Sequence, residues 1–191
     1  MGGYTPASGS PVNTLQYVTI SSTGNARDFG DLTRQVRGAA SISSPVRGVC
    51  AGGAPSTQNT MDYITISTTG NANDFGDLTV GRDICAGGGN SKRGVIFMGR
   101  DPSMTNIIDY ITIASMGNAI DFGDSISSGY ILSDGASSSR RVVFAGIMNP
   151  GYNTNMDFIE ISTTGNAQDF GDHSTNQQFN TGLSNSHGGL G

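Results

Sequence analysis

The stretch Tyr63-Ile-Thr-Ile-Ser-Thr-Thr-Gly-Asn-Ala-Asn-Asp-Phe-Gly-Asp77 decides the fold, because close copies of it occur at three other places in the chain. The copies begin at Tyr17, Tyr110 and Phe158, and each ends in Asp-Phe-Gly-Asp. The glycines of the four Phe-Gly-Asp steps lie 46, 47 and 48 residues apart. A period of this length is typical of an array of similar supersecondary units that stack on one another.

The composition favours a single all-β domain over residues 1–191. The chain has 29 Gly among 191 residues, and only 35% of its residues are hydrophobic. Glycines interrupt every stretch that could carry a helical period of apolar residues. A chain of this length can bury an adequate core in one domain, and its many turn residues indicate β-structure with short connections.

Each repeat divides into four short strands. In the second repeat, the alternation of large and polar residues predicts a strand over 63–67, a turn over 68–71 and a returning strand over 72–78. Upstream strands are predicted at 36–42 and 47–53, with counterparts of the latter at 93–99 and 140–146. Four antiparallel strands in about 47 residues are typical of a β-propeller blade. We expect the repeated aromatics to fill the layers between blades: Tyr17, Phe29, Tyr63, Phe75, Tyr110, Phe122, Phe158 and Phe170.

The repeats cover 4–53, 54–99, 100–146 and finally 147–191 together with 1–3. Gly53, Gly99 and Gly146 each lie 23 residues after a Phe-Gly-Asp glycine, and the same count from Gly171 runs through the last residue and reaches Gly3. This register predicts a ring closed by pairing the C-terminal strand, within 183–191, with the N-terminal one. Four blades in one chain and eight blades in two chains joined head to tail both satisfy it. A β-solenoid is the minor alternative, because its coils are usually shorter.

The repeat resembles kelch-type propeller repeats in its strand ending in Gly-Gly, its Tyr-Ile-Thr-Ile strand, its Thr-Gly-Asn turn and the aromatic that follows. Phe stands here where kelch repeats usually have Trp. The strings Asp-Tyr-Ile-Thr-Ile-Ser-Thr-Thr-Gly-Asn-Ala and Asp-Phe-Gly-Asp-Leu-Thr are also similar to repeats in virion structural and tail-associated proteins of marine tailed phages, cyanophages among them. This resemblance implies a propeller in a virion, with virion localisation, and it implies no catalytic residues.

The bulk properties exclude several classes of protein. A net charge of −5 argues against nucleic-acid binding by phosphate neutralisation. No apolar run is long enough for a membrane span, and the first residues lack the pattern of a secretory signal. Cys50 and Cys85 stand at different places in their repeats, which predicts buried free thiols rather than a disulfide framework.

No motif predicts an enzyme, a metal site or a cofactor. Asp-Phe-Gly also occurs in protein kinases as a metal-binding tripeptide, but the other kinase signatures are missing. The Asn and Asp residues of the repeat lack the closing glutamate of a calcium loop, so we expect them to bind local backbone groups in turns. His173 and His187 have no matching ligands, and the Gly-rich strings lack the Gly-Lys-Ser/Thr ending of a phosphate loop.

Two surfaces remain as candidate binding sites. Arg47, Arg93 and Arg140 each lie 17 residues after a Phe-Gly-Asp glycine and could form a basic ring near the axis, although pairing with the repeated Asp residues is the simpler interpretation. The loop after the second strand differs in every repeat, as recognition loops on a rigid scaffold do, and unconstrained drift of solvated loops gives the same pattern. Its candidate anchors have side chains favoured in recognition patches: Tyr4, Arg100, Met104, Met148 and Tyr152.

The resulting hypothesis is a non-enzymatic phage protein of the tail or capsid surface. It would bind other virion proteins or a host-surface molecule through these loops, in several copies per particle. A free carbohydrate-binding propeller lectin is the alternative. An enzyme with its chemistry at the axis is a third possibility, disfavoured by the scarcity of bases and nucleophile partners.

Overall fold

The computed structural model describes residues 1–7, 9–129, 131, 135–148, 151 and 154–176. Within them the chain forms antiparallel sheets and no helix, as the composition predicts. The first sheet contains β1 (Gly3–Thr5), β2 (Ser10–Tyr17) and β3 (Arg27–Val36), and the second contains β4 (Ala40–Ser43), β5 (Arg47–Ala51), β6 (Thr60–Thr65) and β7 (Asn73–Asp77). The third contains β8 (Ala86–Gly89), β9 (Arg93–Asp101), β10 (Ser103–Thr112) and β11 (Ile120–Gly129). The fourth contains β12 (Ala136–Ser137), β13 (Arg141–Ala145), β14 (Asn155–Glu160) and β15 (Gln168–Asp172).

In every sheet the strands pair in chain order, so each sheet is a simple meander. The predicted strand over 36–42 is wrong at its start, because β3 continues to Val36 and the chain turns at Gly38, whose φ is +63°, before β4 begins. The second sheet therefore runs from residue 40 to 77 and draws on two successive sequence repeats.

All four sheets share a β-bulge whose extra residue is the Phe of Phe-Gly-Asp. In the second sheet the register between β6 and β7 shifts between Met61 and Asp62, and the same shift occurs in the other three sheets. In the second sheet Met61 pairs with Gly76 and Asp62 with Asp74, which leaves Phe75 as the extra residue of β7. Met61 and Asp62 are both fully buried because they face opposite sides of β6, toward the third and the first sheet. Three buried aspartates lie on the partner strand beside the bulge, and we call them the bulge aspartates: Asp62, Asp109 and Asp157.

The core lies between successive sheets. Three buried clusters are present among the described residues, and each joins one sheet to the next, as Phe97 and Phe144 do with stacked rings 3.8 Å apart. The repeated aromatics pack edge to face within each sheet, with centroids 5.9–6.0 Å apart. The prediction that they fill the layers between sheets is confirmed for Phe29, Phe75 and Phe122, whereas Phe170 is 50% exposed.

Candidate functional site

The structure places two of the predicted anchors at equivalent positions. Tyr4 follows Gly3 in β1, and Arg100 follows Gly99 in β9. Gly3 pairs with Val12 and Gly99 with Thr105, and each partner lies five places before the repeated tyrosine of its sheet. The two strands therefore have the same register. Tyr4 and Arg100 therefore extend from the same end of two different sheets.

At this end of the sheets the charged groups are partly neutralised. The Arg100 guanidinium binds both carboxylate oxygens of Asp83, at 3.1 and 2.9 Å, and its side chain is 45% exposed. The Arg37 guanidinium lies 5.9 Å from the centre of the Tyr4 ring, which is 54% exposed. This surface carries one exposed aromatic ring and one ion-paired arginine.

The other predicted anchors are distributed over the same loops. Met104 lies opposite Arg100 in the β9–β10 ladder and is half-buried. Met148 is half-buried as well, and its carbonyl oxygen would lie 2.9 Å from a Cβ placed on Gly129. Tyr152 lies outside the described residues. The structure brings Arg100 and Met104 together on the third sheet, whereas Tyr4 lies in the first sheet and Met148 follows β13 of the fourth.

The predicted basic ring of three arginines has a different third member and a different role. In the strand ladders Arg47 lies opposite Thr65 and Arg93 opposite Thr112, each two places after the repeated aromatic. The equivalent residue of the fourth sheet is Arg141, opposite Glu160, and not Arg140. Counting from the Phe-Gly-Asp glycine is misleading here, because the distance to the equivalent arginine is one residue longer in this repeat. The three guanidinium carbons lie 4.3–4.9 Å from the centres of Tyr110, Phe158 and Tyr63.

Two of these arginines connect neighbouring sheets. Arg47 Nη1 donates to the carbonyl of Ile113 at 3.0 Å, and Arg93 Nη1 donates to that of Ile161 at 2.7 Å. Arg141 binds Glu160 within its own sheet. Within the described part of the chain, these arginines bind backbone oxygens, aromatic faces and, for Arg141, the Glu160 carboxylate, and the expected pairing with the repeated Asp residues is not seen.

A clasp between successive sheets was not predicted from the sequence. Gly70 N donates to Phe29 O and Ala72 N to Asp31 O, both at 2.7 Å, while Asn71 Oδ1 accepts from Asp31 N at 3.0 Å. The turn after β6 thus binds the Phe-Gly-Asp segment of the preceding sheet. The same three bonds recur where Gly117–Ala119 meet Phe75–Asp77 and where Gly165–Ala167 meet Phe122–Asp124.

The clasp explains the glycine of Phe-Gly-Asp. A Cβ on Gly30 or Gly76 would lie 2.4 Å from the carbonyl oxygen of the next sheet's turn, too close for any side chain. The expected local role holds for the aspartates, since Asp74, Asp121 and Asp169 each accept from the amide two residues later at 3.0–3.3 Å. The asparagines act across sheets instead, over about 40 residues of sequence.

The bulge carboxylates form a second row of inter-sheet contacts. Asp109 accepts from Thr79 Oγ1 at 2.7 Å and forms an ion pair with Arg82 at 3.0 Å, with both charged side chains fully buried. Asp62 accepts from Thr33 Oγ1 and lies 3.9 Å from Arg34 Nε.

The third member of this row has no cation beside it within the described part of the chain. Asp157 accepts from Ser125 Oγ and from the Ile126 amide. Its burial raises the pKa of this carboxyl, and these two hydrogen bonds oppose the rise.

Small pockets recur at the turn end of the sheets. One of about 310 Å³ lies between Phe29 and the residues 64–73, and one of about 240 Å³ lies between Phe122 and the residues 158–168. Their linings correspond, with a Phe of one sheet facing two Thr, Gly and Asn of the next. A third, also about 240 Å³, is lined by residues 17–27 alone.

The remaining chemistry-bearing groups show no assembled site. Both cysteines are buried and free, as predicted, and burial raises the pKa of Cys50 to about 11 and that of Cys85 as well. Among the described residues no three His, Cys, Asp or Glu side chains are grouped to hold a metal ion. No helix in this part of the chain is long and apolar enough to cross a membrane.

Comparison with known proteins adds no assignment. No protein-family model matches the sequence, and no curated protein matches it. The fold and the recurring clasp define the molecule as an array of antiparallel sheets with repeated inter-sheet contacts.

Proposed function

We propose that the four sheets are the blades of a β-propeller. On this proposal the protein is a non-enzymatic structural component of a phage virion that binds other molecules through the loops at one end of its blades. The repeated sheets, each clasped onto the preceding one, support the blade interpretation. The similarity of the repeat string to phage virion repeats supports the placement in a particle.

Ring closure through the chain ends is supported by the register of the first sheet. Gly2 and Gly52 have φ values of +61° and +67°, and they donate to the carbonyls of Thr14 and Thr60 at 3.2 and 3.1 Å. The N-terminal residues therefore occupy the last positions of a second strand. Leu15–Tyr17 pair with β3 on one side, and on the β1 side they have no strand partner among the described residues, which end at 176. We assign the missing part to residues 188–191, whose sequence Gly-Gly-Leu-Gly aligns with Arg47-Gly-Val-Cys50.

The use of the acidic residues supports a non-catalytic role. Asp74, Asp121 and Asp169 bind strand amides two residues later. The bulge aspartates bind hydroxyls, amides or arginines from outside their own sheet. Carboxylates committed to such contacts hold the scaffold together. This leaves recognition, rather than chemistry, as the function that the surface loops can supply.

One observation carries the binding proposal: equivalent positions on a repeated scaffold hold unrelated side chains. Tyr4 and Arg100 both follow the glycine that ends the second strand, yet one is an exposed aromatic ring and the other an ion-paired cation. Tyr and Arg give large contact areas and are enriched at recognition surfaces. Different blades therefore present different chemistry at one end of the array.

The test uses particles of the phage that encodes the chain. Immunogold labelling with an antibody against the purified protein should decorate the tail or capsid surface, and a particle without the chain would contradict the virion assignment. The purified protein should then compete with particles for adsorption to host cells. The triple variant Y4A/R100A/M104A should compete at least about tenfold less well.

The control alters exposed residues at the opposite end of the blades. Val46 and Met116 are 62% and 60% exposed there, and V46A/M116A should compete like the wild type. If V46A/M116A fails to compete for adsorption while the triple variant competes like the wild type, the binding surface lies at the opposite end of the blades and this proposal is wrong.

A carbohydrate-binding lectin is the second candidate, because the inter-sheet pockets recur with the same lining. Hydroxyl and amide side chains beside an aromatic ring can hydrogen-bond and stack on a sugar. A glycan array of the isolated protein tests this. Two results together would favour the lectin. The protein would bind a monosaccharide strongly and lose that binding in the variant T69A/N73A/T164A/Q168A, and it would be absent from phage particles.

A further inference from the structure

Two halves of one more clasp are present without a partner. The first half is the turn Gly24–Ala26 of the first sheet, and the second is the segment Asp169–Asp172 of the fourth sheet. Among the described residues, the amides of Gly24 and Ala26 have no backbone partner. A Cβ on Gly24 or Gly171 would meet no atom within 4 Å, whereas one on Gly30 would lie 2.4 Å from the next turn.

Both halves already have the geometry of the clasps that form. The Ser22 amide donates to Thr19 O at 3.2 Å, the same distance as from the Thr68 amide to Thr65 O in the second sheet. Asp169 Oδ1 accepts from the Gly171 amide at 3.0 Å, as Asp121 does from Gly123 at 3.1 Å. Docking of one half on the other would therefore need no refolding, which keeps its entropic cost low.

The side chains around the two halves are apolar and more exposed than their counterparts, of which Ile66 in the second sheet is itself 44% exposed. Phe170 is 50% exposed, against 2–8% for the other three phenylalanines of Phe-Gly-Asp. Val18 and Ile20 are 57% and 98% exposed, while Ile111 and Ile113 at the same places in the third sheet are almost fully buried. Exposed apolar patches of this kind on both ends of an array mark an interaction surface.

Charge adds complementarity to this pair of surfaces. Arg27 stands where the turns of the second and fourth sheets have Asn73 and Gln168, side chains that share a pocket with the Phe of the preceding sheet. A fourth clasp would bring Arg27 beside Phe170 and the carboxylates of the Asp169–Asp172 segment. The first turn thus carries the one cation that suits an acidic, aromatic strand end.

We infer that the Asp169–Asp172 segment of one copy docks on the Gly24–Ala26 turn of a second copy of this chain. The inference rests on the proposed propeller and names the partner that closes it. Within the described ranges one chain makes three clasps, and the fourth stays open although the chain carries both halves, which favours a partner outside the chain. A head-to-tail contact made twice joins two copies into a ring of eight sheets, within the range of propellers.

The first experiment measures the mass of the full chain by sedimentation velocity over a concentration series. We expect a species of about twice the 19.7 kDa of one chain. Ala26→Arg should raise the dissociation constant at least about a hundredfold, because it places a long side chain where the clasp buries an alanine. Val46→Arg adds the same charge at another exposed site and should leave the dimer unchanged.

Mixing two variants tests the head-to-tail arrangement. Ala26→Arg blocks the turn and Phe170→Arg blocks the segment, so each alone should be monomeric, with circular dichroism showing that both remain folded. An equal mixture restores one intact pair of surfaces and should form a heterodimer. Two folded variants that fail to associate when mixed would overturn the arrangement.

Amide hydrogen exchange at Gly24 and Ala26 separates the possible outcomes. Protection that rises with protein concentration, together with the dimer, supports docking of a second copy. A monomer with both amides protected would overturn this inference and would keep the propeller, since the chain's own fourth sheet then makes the clasp. A monomer with both amides freely exchanging would overturn the inference and ring closure together.

Discussion

The buried Arg82–Asp109 ion pair gives the sharpest prediction about stability. Both side chains are fully buried with 3.0 Å between the charged atoms, and Thr79 supplies two further hydrogen bonds to the carboxylate. Asp109→Asn removes the negative charge and leaves the guanidinium without compensation in the core. We expect the free energy of unfolding to fall by about 3–5 kcal/mol, and the melting temperature by roughly 6–20 °C for a domain of this size.

Asp157→Asn is the matched control, because Asp157 has the same place in the fourth sheet but no cation beside it among the described residues. Asparagine keeps an acceptor for Ser125 and Ile126, so the loss at neutral pH should stay within about 1 kcal/mol. Because burial raises the pKa of Asp157 above its unfolded value, its contribution to stability is greatest at acidic pH and declines as the pH rises through the folded pKa. Asp157→Asn should therefore compare more favourably with the wild type at pH 7 than at pH 3.

Urea denaturation followed by circular dichroism at both pH values measures these differences. The variants should change the midpoint and leave the slope unchanged. An Asp109→Asn midpoint equal to that of the wild type would refute the role of the ion pair. Equal losses from Asp109→Asn and Asp157→Asn would show that the buried cation is not what separates the two sites.

Three further variants test the inter-sheet contacts by the same denaturation assay. Gly76→Ala should lower the free energy of unfolding more than Gly171→Ala, because a Cβ at Gly76 would lie 2.4 Å from a carbonyl oxygen and one at Gly171 would meet no atom. Gly171→Ala should cost only the backbone strain of about 1–3 kcal/mol. Equal losses, at concentrations that keep the protein monomeric, would contradict the clasp. Asn118→Ala should cost about 1 kcal/mol and speed hydrogen exchange at the Asp77 amide, and unchanged exchange there would remove the assigned bond. Phe144→Ala should cost about 3–5 kcal/mol, and a loss below about 1 kcal/mol would mean that its ring does not join the third and fourth sheets.

The repeat predicts the strands because each one carries its own local pattern. The alternation in Tyr-Ile-Thr-Ile and the Thr-Gly-Asn turn are readable within a few residues, and both appear in the structure near their predicted places. The strand start at residue 36 was missed because nothing local distinguishes the end of β3 from the start of β4 except the turn at Gly38.

The site was less predictable because its contacts cross between sheets. Asn71 looks like a local turn residue, yet its acceptor oxygen serves Asp31 in the preceding sheet. Sequence counting selected Arg140, whereas the strand register places Arg141 at the equivalent position, and a count along the sequence does not contain that register. One signal in the sequence points to the clasp. Glycine follows Phe in all four repeats, which predicts that another backbone approaches closely there, but it does not predict which segment approaches.

An experimental structure of the purified protein tests the central claim, that successive clasped sheets close into a propeller, most directly. It should show Leu190 antiparallel to Tyr17, as Val49 is to Tyr63, with the Asp169–Asp172 segment seated on a Gly24–Ala26 turn. A structure in which Leu15–Tyr17 keep a bare edge, or in which residues 188–191 pair elsewhere, would contradict it.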